Sequence, residues 1–89
     1  MRKEVIEFAE AMEIKLQKYD GIKKSWKETD NEYLYSRLMC QLYELDRCTR
    51  LDIDDAEAAE TLINISNFAM MLRDNILNRK EGDDGSQQA

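Results

Sequence analysis

A group of oxygen-bearing side chains has the spacing of a metal or ligand site. Gln41 and Glu44 are three residues apart, and Thr61 and Asn64 repeat that spacing further along the chain. In an α-helix this spacing places side chains on one face, one turn apart. If two such helices pack antiparallel, the four groups face each other across a groove. Carboxylates in such a groove would form an oxygen cage for Mg²⁺, which would in turn bind a triphosphate.

Carboxylates are scarce at these positions, where Glu44 and the neighbouring Glu60 are the acids. Mg²⁺ requires near-octahedral oxygen ligation and binds charged carboxylates best. Gln41 and Asn64 would supply neutral carbonyl oxygens instead, and Thr61 a hydroxyl. We therefore expect no cofactor and no catalytic residue. Mg²⁺ would be the cofactor of an active enzyme, with Glu44 and Glu60 as its ligands.

Two asparagines interrupt the apolar helical segment 60–71, ETLINISNFAMM. Asparagine is a mediocre helix former, because its side chain competes for backbone hydrogen bonds. Asn64 and Asn67 could therefore contact a ligand, or they could be hydrogen-bonded inside the protein like most buried polar groups. Trp26 has the same two interpretations, as a packing aromatic or as part of a ligand site.

Two helices in the first half of the chain follow from helical spacing and end signals. Apolar residues predict a first helix over Lys3–Tyr19, which Gly21 would end. Residues 21–29, GIKKSWKET, read as a basic loop. Thr29 as N-cap with Glu32 three residues later forms a capping box, which predicts a second helix that reaches about Arg50.

A third, longer helix is predicted from about Asp55 to Arg79, opened by the capping pair Asp54 and Glu57. Its apolar residues cover more than one face, which is typical of a helix with several neighbours. The sequence predicts an all-α fold, an antiparallel helix bundle over residues 1–80. The acidic and polar residues 81–89 read as a disordered tail.

Composition narrows the function classes. The 89 residues allow one domain, and a lone chain of this size gains from self-association, so we expect a dimer or tetramer. A net charge of −6 argues against nucleic acid as a partner. No apolar run reaches the roughly 20 residues that cross a bilayer, so we expect no membrane partner and a cytoplasmic location.

The chain contains two cysteines and no histidine, which limits disulfide formation and excludes histidine-dependent catalysis. Cys40 and Cys48 are eight residues apart in one predicted helix, roughly 12 Å at about 1.5 Å per residue, which is too far for a disulfide. Free thiols are therefore expected. The chain contains no histidine, which excludes Ser-His and Cys-His mechanisms.

Over residues 4–78 the sequence resembles the MazG-like all-helical nucleoside triphosphate pyrophosphohydrolases, particularly their short single-domain forms. The matching pieces stand in order: FAEAMEIKL, then Trp26 and Lys27, then RLMCQLYEL, then NISNFAMMLRDN. The last piece resembles the family run DVANFAMMIAD and matches it at Asn67, Phe68, Ala69, Met70, Met71 and Asp74.

The resemblance also identifies where the family would bind metal. Its pattern is two adjacent glutamates and a third three residues later, then a glutamate and an aspartate three apart on a following helix. These positions fall on Cys40, Gln41, Glu44, Thr61 and Asn64, so four of the five are not acidic. The resemblance therefore implies a domain that has lost metal-dependent hydrolysis.

What remains is a nucleotide-binding, structural or regulatory role. The residues expected at a nucleotide are Gln41, Glu44, Thr61, Asn64, Asn67, Lys24, Trp26 and Lys27. Two alternatives stay open: an active Mg²⁺-dependent pyrophosphohydrolase with a rearranged site, and a protein-interaction module.

Overall fold

The described part of the chain is entirely helical. The computed structural model describes residues 1–21, 25–51 and 54–82, with side chains up to residue 78. Its elements are α1 (Lys3–Tyr19), a 3₁₀ turn (Trp26–Glu28), α2 (Asn31–Arg50) and α3 (Asp55–Gly82). Within these ranges there is no strand, so the predicted all-α class is confirmed. None of the described helices has the length and apolar character needed to span a membrane.

The first helix ends where the sequence predicts. Helix α1 stops at Tyr19, and Gly21 two residues later has a φ of 80°. This is the left-handed conformation that glycine adopts without a steric penalty and that commonly ends helices.

The predicted capping box of the second helix is wrong. Helix α2 begins at Asn31, and Asp30 is its N-cap residue, without a side-chain capping bond. Thr29 instead closes the preceding 3₁₀ turn, where its Oγ1 donates to the carbonyl oxygen of Ser25 over 3.0 Å. Because α2 begins one residue later than predicted, Asp30 and not Thr29 occupies the N-cap position.

The third helix is capped as predicted but is longer. Oδ1 of Asp54 accepts a 2.9 Å hydrogen bond from the backbone N–H of Ala56, which satisfies one free donor of the first turn. The helix continues to Gly82, beyond the predicted end at Arg79. The predicted tail over residues 81–89 lies outside the described residues from 83 onward.

Helices α2 and α3 run antiparallel along each other. Three contacts between their side chains define this order: Asn31 with Asn75, Gln41 with Asn64, and Arg47 with Glu57. Residue numbers rise along α2 as they fall along α3, which is the arrangement that the sequence predicts for this pair. Helix α1 lies on α3 through an ion pair and a hydrogen bond that are described below.

The interior of the single chain is small. Among the described residues the buried apolar side chains are Leu34 and Cys48, and helix α1 contains no buried residue. Both cysteines are free thiols, as predicted. Large apolar side chains such as Phe8 and Ile14 remain 41% and 59% exposed. Such a surface fits self-association, and the dimer or tetramer stays a prediction.

Candidate functional site

A neutral amide pair bridges the groove between α2 and α3. Nδ2 of Asn64 donates a hydrogen bond of 3.1 Å to Oε1 of Gln41, and both side chains are half-buried. The prediction that these two residues face each other is therefore confirmed. A bond between two amides needs no cation, whereas two opposed carboxylates would repel each other unless a cation or a proton lay between them.

The next turn of the groove holds an ion-pair cluster. Nη2 of Arg47 lies 2.5 Å from Oε2 of Glu44 and 3.0 Å from Oε2 of Glu57. The hydrogen bond from Arg47 lowers the pKa of Glu44. The hydrogen bond that Glu57 shares with Glu44 raises the pKa of Glu57. A single guanidinium therefore contacts both carboxylates and offsets one of their two negative charges.

Possible metal ligands are present in the same cluster. One ligand atom each from Glu44, Cys48 and Glu57 lies within 4.8 Å of the others. Burial raises the pKa of the Cys48 thiol, which favours the protonated form over the thiolate that binds metals. Because Arg47 contacts both carboxylates, the cluster is an ion-pair network in which the arginine occupies the position of a cation and offsets one of the two negative charges.

Glu60 pairs with a lysine and does not share a site with Glu44, as two ligands of one metal ion would have to. Its Oε2 lies 2.5 Å from Nζ of Lys15 on α1, and this hydrogen bond lowers the pKa of Glu60. Glu60 is not part of the cluster around Glu44. The structure thus gives the two acids of the predicted metal pair separate cationic partners.

Thr61, another predicted site residue, is engaged within its own helix. Its side chain is buried, and Oγ1 donates to the carbonyl oxygen of Glu57 over 2.9 Å. This back-bonding is common for threonine inside helices. The hydroxyl is therefore unsuited to contact a ligand in the groove.

A cavity of about 320 Å³ lies between the end of α1, the 3₁₀ turn and the middle of α3. It is lined by Lys15, Leu16, Tyr19, Asp20, Gly21, Ser25, Trp26, Thr29, Leu34, Asn64, Asn67, Phe68 and Met71. Three residues of the predicted nucleotide site therefore come together: Trp26, Asn64 and Asn67. The other described members of that set, which do not line the cavity, are Gln41, Glu44, Thr61 and Lys27. Lys24 lies outside the described residues.

Hydrogen bonds fix one aromatic wall of this cavity. Nε1 of Trp26 donates to Oδ2 of Asp74 over 2.9 Å, and Nδ2 of Asn75 donates to the Trp26 carbonyl oxygen over 3.0 Å. The indole N–H lowers the pKa of Asp74. Both ends of the tryptophan are thus tied to α3, so the indole is held in place before any ligand arrives.

The polar floor of the cavity contains an unusual acceptor. Asn67 is 4% exposed, and its Nδ2 donates to the carbonyl oxygen of Met12 over 3.3 Å. Its Oδ1 is buried without a hydrogen-bond partner. Buried acceptors of this kind are few in native proteins.

Several residues of the cavity and cluster were not anticipated from the sequence. Lys15 and Tyr19 are one turn apart near the end of α1. This spacing places both side chains on the same face of the helix, and it could have indicated that they line one site. Arg47 lies three residues after Glu44, a spacing that permits an ion pair on one helix.

Removal of the arginine gives a pH-dependent loss of stability. In Arg47→Gln, we expect the pKa values of Glu44 and Glu57 to rise, because the cation that favours both ionised forms is gone. Raised folded-state pKa values reduce stability near pH 7, and the difference from wild type disappears as pH falls below the lowered pKa that Glu44 has in the wild-type protein. Thermal melts across that range test this prediction. Arg50→Gln is the control, since Arg50 pairs with the single acid Asp46; an Arg47→Gln loss independent of pH would contradict the account.

Comparisons with known proteins found no relative of this chain. No protein-family model, no curated protein and no solved structure matches the chain.

Proposed function

We propose that this chain is a MazG-like helical domain that binds a nucleotide without metal and no longer hydrolyses it. The observation that carries the proposal is the Gln41–Asn64 hydrogen bond. By the sequence resemblance, both positions would carry acids in a hydrolytic relative. Here a neutral pair joins the two helices at that point, next to a cavity that Asn64 also lines.

Electrostatics support the loss of hydrolysis. Mg²⁺ is held by charged oxygens, and it activates water for attack on a phosphate. Of the acids near the groove, Glu44 contacts Arg47 and Glu60 contacts Lys15. Removal of one preorganised electrostatic group typically costs about 10²–10³ in rate. Several such losses together would reduce turnover to background.

The cavity supports a retained binding role. Its volume of about 320 Å³ lies at the small end of the range for ligand pockets. Trp26 supplies a fixed aromatic face of the kind on which nucleobases stack. Asn64 and Asn67 supply polar groups beside it. We propose that a cytoplasmic dimer or tetramer is the functional form, because α1 exposes much of its apolar surface.

The active-enzyme alternative would need the remaining acids in a rearranged site. Glu44, Glu60 and Asp74 are the candidates. Each has a partner: Arg47, Lys15 and the Trp26 indole, respectively. Rearrangement would have to break these contacts, which makes the non-hydrolytic function the better-supported proposal.

Two measurements on the wild-type protein test the proposed function. Pyrophosphate release from a panel of nucleoside triphosphates with Mg²⁺ or Mn²⁺ should not exceed that of a Glu44→Gln control. Calorimetry with an unhydrolysable triphosphate should give the same affinity with and without Mg²⁺. Turnover clearly above the control, or binding that requires the ion, would favour the active enzyme.

A further inference from the structure

We propose that the cavity recognises its ligand through an amino group on a flat heteroaromatic ring, which donates to Oδ1 of Asn67. This inference rests on the proposed function and names the part of the nucleotide that is recognised. It also implies that phosphates contribute little to affinity, so that a nucleoside binds almost as well as its triphosphate.

The orientation of the Asn67 amide decides what the ligand must offer. Its Nδ2 donates to the carbonyl oxygen of Met12, so a flipped amide would place two oxygens against each other. Oδ1 is therefore the end that faces no partner in the free protein. A desolvated acceptor without a donor is unfavourable. Because Oδ1 is buried, a ligand N–H reaches it only when neighbouring side chains move slightly, and the new hydrogen bond then removes that cost.

A second acceptor lies one turn away. Asn64 is three residues before Asn67 on α3, and both line the cavity. Because Nδ2 of Asn64 donates to Gln41, its Oδ1 is left as the acceptor end of the amide. A primary amino group carries two N–H donors, which suits two neighbouring acceptors better than a carbonyl group, which has none.

The remaining walls fit a flat, apolar ring. Leu16, Phe68 and Met71 line the cavity together with Trp26, whose indole is held by its bond to Asp74. Apolar and aromatic surfaces of this kind pack against the faces of a heteroaromatic ring.

The charges around the cavity offer little to a triphosphate. Among the described lining residues, Lys15 is the one cation, and Glu60 neutralises it over 2.5 Å. Asp20, which also lines the cavity, is an acid. Without Mg²⁺, several phosphate charges would gain little from these described residues, so the ring is the main contact that they offer a ligand.

Matched ligands test the inference on the wild-type protein. We expect adenosine to bind about tenfold or more tightly than purine riboside, which lacks only the amino group, and than N6,N6-dimethyladenosine. Adenosine and an unhydrolysable ATP analogue should bind within about fivefold of each other. Calorimetry, or protein NMR shifts for weak binding, would measure all four.

The outcomes separate this inference from the proposed function. Equal binding of adenosine and purine riboside, or binding of the ATP analogue alone, overturns the inference and leaves nucleotide binding intact. Amino-selective binding of adenosine without the ATP analogue overturns both nucleotide binding and the expected small effect of the phosphates, and it supports only the amino contact with Asn67. If none of the ligands binds, both proposals fail.

A variant of Asn67 distinguishes a ligand contact from a structural role. Asn67→Leu removes the unpaired acceptor and keeps the branched shape and the number of heavy atoms, while the Met12 carbonyl retains its place in the α1 hydrogen-bond ladder. We expect unchanged or higher thermal stability and loss of the preference for adenosine. Ser66→Ala, which removes a hydroxyl bonded to the Leu62 carbonyl outside the cavity, should keep that preference. A large stability loss with the preference retained would mean that Asn67 is structural.

Discussion

Asn75→Ala should lower the melting temperature by roughly 10–20 °C, the largest loss we expect from one substitution. Asn75 is 3% exposed, and its Nδ2 donates to the Trp26 carbonyl oxygen over 3.0 Å and to Oδ1 of Asn31 over 2.9 Å. Alanine removes both bonds and leaves a void in a buried position. Together these changes cost about 2–3 kcal/mol, a large share of the stability of a small domain.

The two bonds of Asn75 join parts of the chain that lie far apart in sequence. One holds the 3₁₀ turn against α3, and the other holds the start of α2. Because Trp26 is in that turn, its fluorescence spectrum should shift in Asn75→Ala even below the melting transition. Ligand affinity should fall as well, since the indole wall of the cavity loses a support.

Asn78→Ala is the matched control for this substitution. Asn78 is one turn from Asp74 on the exposed part of α3, and its Nδ2 donates to Oδ1 and the carbonyl oxygen of Asp74. Exposed substitutions of this kind usually change stability by less than about 0.5 kcal/mol. Circular dichroism melts at one protein concentration compare the two variants. Similar melting temperatures would mean that the bonds of Asn75 contribute little.

The helices could be predicted because their signals are local. Apolar spacing and a glycine stop are properties of neighbouring residues, and α1 has the predicted bounds Lys3–Tyr19. The cap at Thr29 could not be decided in this way, because threonine and aspartate are both favoured N-cap residues and they are neighbours here. The 3₁₀ turn at Trp26–Glu28 ends at Thr29, and α2 begins at Asn31 with Asp30 as its N-cap.

The candidate site was only partly readable from the sequence for a related reason. The contact of Gln41 with Asn64 follows from one-turn spacing on two helices that pack antiparallel. Which cation neutralises Glu44 depends on how each helix is rotated about its axis, and spacing does not fix this. The cavity also needs the end of α1 and the 3₁₀ turn, whose positions depend on tertiary contacts such as that between Lys15 and Glu60.

Replacing the amide pair by two carboxylates should make stability depend on metal. In the double variant Gln41→Glu with Asn64→Asp, like charges meet where an amide bond of 3.1 Å now joins α2 and α3. Repulsion at this distance raises the folded-state pKa of the pair and costs about 2 kcal/mol near pH 7. The loss of stability is complete above the raised folded-state pKa values. It decreases as pH falls through them and is absent below the unfolded-state pKa values.

The single variants separate the pair interaction from the cost of each substitution. In Gln41→Glu alone, the carboxylate still accepts from Nδ2 of Asn64, and in Asn64→Asp alone the new carboxylate accepts from Nε2 of Gln41. Each single variant should therefore melt close to wild type, and the melting temperature of the double variant should fall by much more than the sum of the two single changes.

Addition of about 10 mM Mg²⁺ should raise the melting temperature of the double variant by several degrees, because the ion binds only the folded carboxylate pair. Wild type should not respond, because its groove holds neutral amides at this point and Arg47 beside Glu44. Additive single effects, or an equal response of wild type to Mg²⁺, would contradict the view that neutral side chains at these two positions are what separates this groove from a metal site.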